Sequence, residues 1–121
     1  VRTAAAEAAG PAAAAAGLVA VPLFVPRDRN GDPSPIREAD LALVRRLLRG
    51  RRAICMSYGN PYHVRRLDEA PAFALGYGER GWFGNQAVYF DSFVALLKGE
   101  LKPTGRLPVP VNAAYPLGSG L

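Results

Sequence analysis

Apolar runs of strand length, alternating with helical segments over short connections, predict an α/β fold for this chain of 121 residues. The expected form is a three-layer αβα sandwich built on a mainly parallel sheet, with right-handed crossovers and helices on both faces. Leu18–Val25, Arg52–Ser57 and Ala72–Tyr77 are the strand candidates. A helical segment at Pro35–Arg49 separates the first two, and parallel neighbours need such a crossover.

In chain order, residues 1–17 are nearly all alanine interrupted by Gly10 and Pro11, which reads as a broken helix or leader ahead of a domain over residues 18–121. Leu18–Val25 is rich in β-branched residues, and Pro22 inside it pushes the strand toward a sheet edge. A turn cluster over residues 27–35 follows. Ser34 as N-cap, Pro35 in the first turn and Gly50 at the far end bound the first helix. Its buried face is expected to be Ile36, Leu43, Val44, Leu47 and Leu48. Arg52–Ser57 reads as a strand buried on both faces, closed by the loop Tyr58-Gly59-Asn60-Pro61, with a short helix from Pro61 to Arg66. Ala72–Tyr77 ends at Gly78. Over Gly84–Lys98, Phe90, Phe93, Val94 and Leu97 recur at i, i+3, i+4 and i+7, which predicts an amphipathic helix stopped by Gly99. Pro108 and Pro110 limit Leu107–Val111 to an edge strand or an extended tail.

Composition narrows the function. Half of the residues are apolar and 21% are charged, which suits one globular core and neither disorder nor a membrane protein. No signal peptide opens the chain and no apolar run reaches the length of a membrane span, so no membrane partner is expected. The chain opens on Val1 rather than Met, which carries the expectation that it is part of a longer one. Fifteen Lys and Arg against ten Asp and Glu give +5, but only Arg45, Arg46, Arg49, Arg51 and Arg52 cluster. No nucleic-acid motif or interleaved aromatic platform accompanies them, and a basic helix end complements the helix dipole. No nucleic-acid partner is expected. The lone Cys55 lies in an apolar run, reads as a small buried hydrophobe, and has no ligand set for a metal beside it.

Residues able to carry chemistry are few. His63, the single histidine, has Ser57, Ser92 and Asp68 as conceivable partners, but G-x-S-x-G is absent. The ten acids announce no acid/nucleophile pair: Asp68 and Glu69 are adjacent, Asp28 and Asp32 sit in a turn-rich loop, and Asp91 lies on a helix edge. Gly76, Gly78, Gly81 and Gly84 form no phosphate-binding G-x-G-x-x-G. No catalytic residue, metal or cofactor is expected.

Three segments in order resemble the C-terminal domain of glycoside hydrolase family 3, most closely its bacterial β-N-acetylhexosaminidase branch. They are Ser57-Tyr58-Gly59-Asn60-Pro61-Tyr62; the strand Ala72–Tyr77 with Gly78, followed by a helix bearing Gln86; and Gly105-Arg106-Leu107-Pro108-Val109 followed by Tyr115-Pro116-Leu117-Gly118 and Gly120-Leu121. The resemblance spans Leu18 to Leu121. Ser119 stands where the family often has histidine, and residues 78–83 look longer and more aromatic than usual. It implies an αβα sandwich attached behind a (β/α)₈ barrel of the same parent chain. The barrel carries the nucleophilic aspartate and the Lys-His and Pro-Gly-His motifs, which have no match here.

The leading expectation is therefore a non-catalytic domain that packs on the barrel and shapes its cleft, in a parent hydrolysing terminal β-N-acetylhexosaminyl or β-glucosyl linkages. Loops at the carboxyl ends of parallel strands are where partners and ligands of such sheets bind. Tyr58, Asn60 and Tyr62 are expected there, facing barrel or carbohydrate, and Trp82 is expected in an exposed apolar patch. Two alternatives stand beside it: an esterase-like hydrolase using Ser57 and His63, and a free-standing flavodoxin-like module binding a nucleotide or phosphate.

Overall fold

The computed structural model describes residues 9–11, 13–25, 36–77 and 86–120. Three parallel strands, β1 (Val19–Leu23), β2 (Ala53–Ser57) and β3 (Phe73–Leu75), form a sheet of order β1-β2-β3. Helix α1 (Glu38–Leu48) lies between β1 and β2, a 3₁₀ helix (Pro61–Arg66) between β2 and β3, and α2 (Gln86–Lys98) follows β3. The chain is thus mixed α/β with a parallel sheet. Residues 9–11 and 13–15 are helical, and residues 102–120 carry no strand or helix.

Hydrogen bonding explains why a proline is tolerated in β1. Val19 N–H donates to Arg52 O, and Leu23 O accepts from Tyr58 N–H. In a parallel ladder alternate residues point their backbone groups to opposite sides, so Val19, Val21 and Leu23 face β2 and Pro22 falls on the open side, where no N–H is required. β2 is central: Cys55 N–H donates to Ala72 O and Ser57 O accepts from Gly76 N–H, on the side of β3.

Alternation along the strands sorts the side chains into two clusters. Val21, Leu23, Ala53 and Cys55 pack with Leu41, Val44 and Leu48 of α1, joined by Ile36 and Leu67. Met56, with Ile54 and Ala74 at its margin, packs instead with Tyr58 and with Phe93, Tyr89 and Leu96. The second face of β1 takes no part in either: Leu18, Ala20, Pro22 and Phe24 are all exposed.

Two helices depart from the sequence expectation. α1 begins at Glu38 rather than Pro35; Arg37 is extended (φ −65°, ψ 144°) and makes no side-chain cap. Ile36 is buried ahead of the helix, while Glu38 and Asp40 place carboxylates in the first turn, where the helix dipole favours them. Ser34 and Pro35 lie outside the described residues. Leu41 replaces Leu43 and Leu47 as a fully buried position. In α2 the inward line is Tyr89, Phe93 and Leu96, whereas Phe90, Val94 and Leu97 are exposed. The helix is apolar around most of its circumference, so spacing alone did not select the packed face. Gly50 and Gly99, at φ 65° and 76°, stop the two helices in the left-handed region.

Candidate functional site

Register brings the carboxyl ends of the strands level: Leu23 lies opposite Ser57, and Ser57 opposite Leu75. The next residue of each strand, Phe24, Tyr58 and Gly76, therefore forms a row across the sheet edge. Phe24 stacks on Tyr58 with ring centroids 4.2 Å apart and planes 12° from parallel. Phe93 of α2 meets Tyr58 edge-on at 4.5 Å. The third position has no side chain, because a Cβ on Gly76 would lie 3.3 Å and 3.4 Å from the Phe93 ring. Tyr58 is buried, and burial raises its phenol pKa. Its stacking face is taken by Phe24, which is half exposed and is the ring that meets solvent.

Beyond Tyr58 the chain turns through Asn60, whose Oδ1 accepts the Tyr62 N–H at 2.9 Å and caps the 3₁₀ helix, with Pro61 in its first turn. Ser57 and His63 meet beneath this turn, both 1% exposed. Ser57 Oγ lies 2.9 Å from Asn60 O and 2.9 Å from His63 Nδ1. A hydroxyl has one proton, and the Asn60 carbonyl can only accept. The arrangement that satisfies both contacts has Ser57 donating to Asn60 O and the His63 Nδ1–H donating to Ser57 Oγ. In that tautomer Nδ1 is not a base toward the hydroxyl.

Tyr62 is partly exposed at the same edge, with the Arg65 guanidinium 4.4 Å from its ring centroid. Tyr77, just past β3, is exposed and sits at φ 50°, a strained value for a bulky side chain. Burial raises its pKa first, and the negative charge of an ionised Tyr62 adds to the rise, which places the two phenols near one another. Arg65 also donates through Nε to Val111 O and so pins the C-terminal segment to the 3₁₀ helix.

Tyr58, Asn60 and Tyr62 thus lie on the turn after β2, and the structure brings Phe24, Arg65 and Tyr77 to the same edge. Sequence reasoning did not single out these last three, although Phe24 and Tyr77 fall at the carboxyl ends of predicted parallel strands, where edge residues are found. Trp82 lies outside the described residues. The edge therefore offers aromatic faces, an amide and a guanidinium, which can stack on an apolar ring face and hydrogen-bond to hydroxyls. Among the described residues no three His, Cys, Asp or Glu gather to hold a metal, and no helix is long and apolar enough to cross a membrane. Glu38, Asp40, Glu69 and Glu100 are held in ion pairs by Arg66, Arg37, Arg45 and Lys98. Cys55 is fully buried and its pKa is pushed up to about 12 by that burial, which suits an inert thiol. No protein-family model, curated protein or solved structure matches this chain.

Proposed function

We propose that this chain is the non-catalytic C-terminal α/β domain of a family 3 glycoside hydrolase of the β-N-acetylhexosaminidase type, packing on a (β/α)₈ barrel of the same parent. The observation that carries the reading is the apolar surface left outside both core clusters. Leu18, Ala20, Pro22 and Phe24 line one face of β1, and Phe90, Val94 and Leu97 lie at i, i+4 and i+7 on the exposed flank of α2, with Leu101 exposed just past its end. An interface inside a longer chain commonly covers roughly 600 to 1,500 Å². The ordered resemblance of residues 57–62, 72–78 and 105–121 to the family supplies the identity of the covering domain.

The αβα layering belongs to the same proposal. Alternate residues of β2 enter the clusters of α1 and α2, which suits helices on opposite faces. A right-handed crossover through α2 would then return the chain toward the free edge of β1. In this role the sheet edge bearing Phe24, Tyr62, Arg65 and Tyr77 forms part of the rim of the barrel's cleft and contacts the distal part of a sugar. The test is made in the parent enzyme. Phe24→Asp with Phe90→Asp is expected to loosen the two domains, seen as faster proteolysis between them, and the isolated chain is expected to leave a chromogenic N-acetylglucosaminide unhydrolysed. Unchanged proteolysis in the double variant, or turnover by the chain alone, would overturn the reading.

The contact between Ser57 Oγ and His63 Nδ1 favours an esterase-like site as a second reading. Both groups are buried, however, and the serine proton is directed at the Asn60 carbonyl. A burst of nitrophenolate from a nitrophenyl ester, lost in His63→Ala, would establish it against the first.

A further inference from the structure

The opposite edge of the sheet carries a second feature. Arg52 immediately precedes β2, and a strand of five residues sets its two ends about 16 Å apart. There, Arg45, Arg49, Arg51 and Arg52 line a cleft of about 560 Å³ together with Glu69. Four guanidiniums against one carboxylate leave a strong positive excess, and Glu69 is itself engaged by Arg45 Nε at 2.9 Å.

Two of the arginines are fixed by the backbone. Arg45 Nη2 donates to Arg66 O at 3.0 Å. Arg51 donates to the carbonyls of Arg46, Leu47 and Arg49 at 2.9, 3.2 and 3.4 Å, and so caps the C-terminal end of α1. All three bonds leave from Nη1. The edge formed by Nε and Nη2 is the one that receives two oxygens of a tetrahedral oxyanion side by side. Because the carbonyls already hold this guanidinium, little further side-chain ordering is needed to bind there. Arg49 and Arg52 are exposed beside it.

The geometry points to this cleft as a binding site for a small multivalent oxyanion of the condensed-phosphate class. The site is independent of the carbohydrate-facing edge and of the proposed parent enzyme. Its volume admits two or three linked phosphate groups, and its charge arrangement rewards an anion able to contact several guanidiniums at once. The probe is inorganic pyrophosphate, titrated calorimetrically into the purified chain at low salt, with inorganic phosphate and sulfate as parallel arms. The expected result is one pyrophosphate per chain, bound at least about tenfold more tightly than phosphate or sulfate. Arg49→Ala with Arg52→Ala is expected to weaken it at least about tenfold, with the far-ultraviolet circular dichroism unchanged. Lys98→Ala with Lys102→Ala removes the same charge elsewhere and is expected to change affinity less than about threefold. Equal loss in both double variants, a pyrophosphate affinity no better than that of sulfate, or no saturable heat would each overturn the proposal.

Discussion

Ser57 Oγ stands 2.9 Å from His63 Nδ1 and the same distance from the Asn60 carbonyl, tying the end of β2 to the 3₁₀ helix that follows. The hydroxyl is the central link in this buried chain of hydrogen bonds, and its effect is to hold the turn bearing Asn60 and Tyr62 against the sheet. Ser57→Ala removes the acceptor of the Nδ1 proton and is expected to cost about 1–3 kcal/mol in urea denaturation. The cost should couple with that of His63→Ala in a double-mutant cycle. Additive losses would show that the contact contributes nothing.

Gly76 and Phe93 are matched by shape. A methyl group on Gly76 would lie 3.3 Å from the ring, a few tenths of an ångström too close, and Phe93 is buried and held edge-on to Tyr58, so Gly76→Ala is expected to destabilise the fold by about 1 kcal/mol through overpacking. Phe93→Leu in the same chain should recover part of that loss. A neutral Gly76→Ala in thermal unfolding would count against the packing described here.

The tail depends on Arg65 and on a close backbone approach. Val111 is buried, and its carbonyl receives the Arg65 Nε–H. Leu107 and Ser119 close the loop between them, with Leu107 N–H donating to Ser119 O at 2.8 Å. A Cβ on Gly120 would lie 2.5 Å from Gly105 O. Arg65→Met and Gly120→Ala are each expected to speed tryptic cleavage after Arg106 severalfold while the sheet stays protected from hydrogen exchange. Unchanged cleavage in both would contradict this anchoring.

Cys55 gives the alkaline limit a definite sign. Its thiol ionises near 9.0 in an unstructured chain and only near 12 in the fold. Below about pH 9 both states are neutral and the difference contributes nothing adverse. Between the two values only the unfolded thiol ionises, so stability falls with rising pH by up to about 1.4 kcal/mol per unit. Cys55→Ala is expected to remove this part of the alkaline loss, and the native thiol should resist a thiol reagent at pH 8. Rapid labelling without unfolding would contradict its burial.

What the sequence disclosed and what it withheld have physical reasons. Continuous apolar runs located all three strands, and Pro22 foretold an edge, because a missing N–H has few places in a sheet. Pro61 marked the short helix, since a first-turn proline acts locally, whereas the Asn60 cap was read only as part of a loop. The strand ends were read too far: Ala72–Tyr77 shortens to Phe73–Leu75, with Tyr77 turned to a positive φ that no local pattern signals. The face of α2 was misread because Phe90 and Phe93 are equally apolar and only the sheet decides between them. The row from Phe24 through Tyr58 to Phe93 joins three distant segments through strand register and the packing of α2 on the sheet, which spacing along the chain does not contain.

The central claim, that this domain works behind a catalytic barrel, is tested most directly by the mass of the intact gene product, measured together with its N-acetylglucosaminidase activity. The expected mass exceeds the 12.9 kDa of this chain by a barrel of about 250 residues, and the larger protein hydrolyses the substrate. A gene product of 12.9 kDa, or a larger one without glycosidase activity, would contradict it.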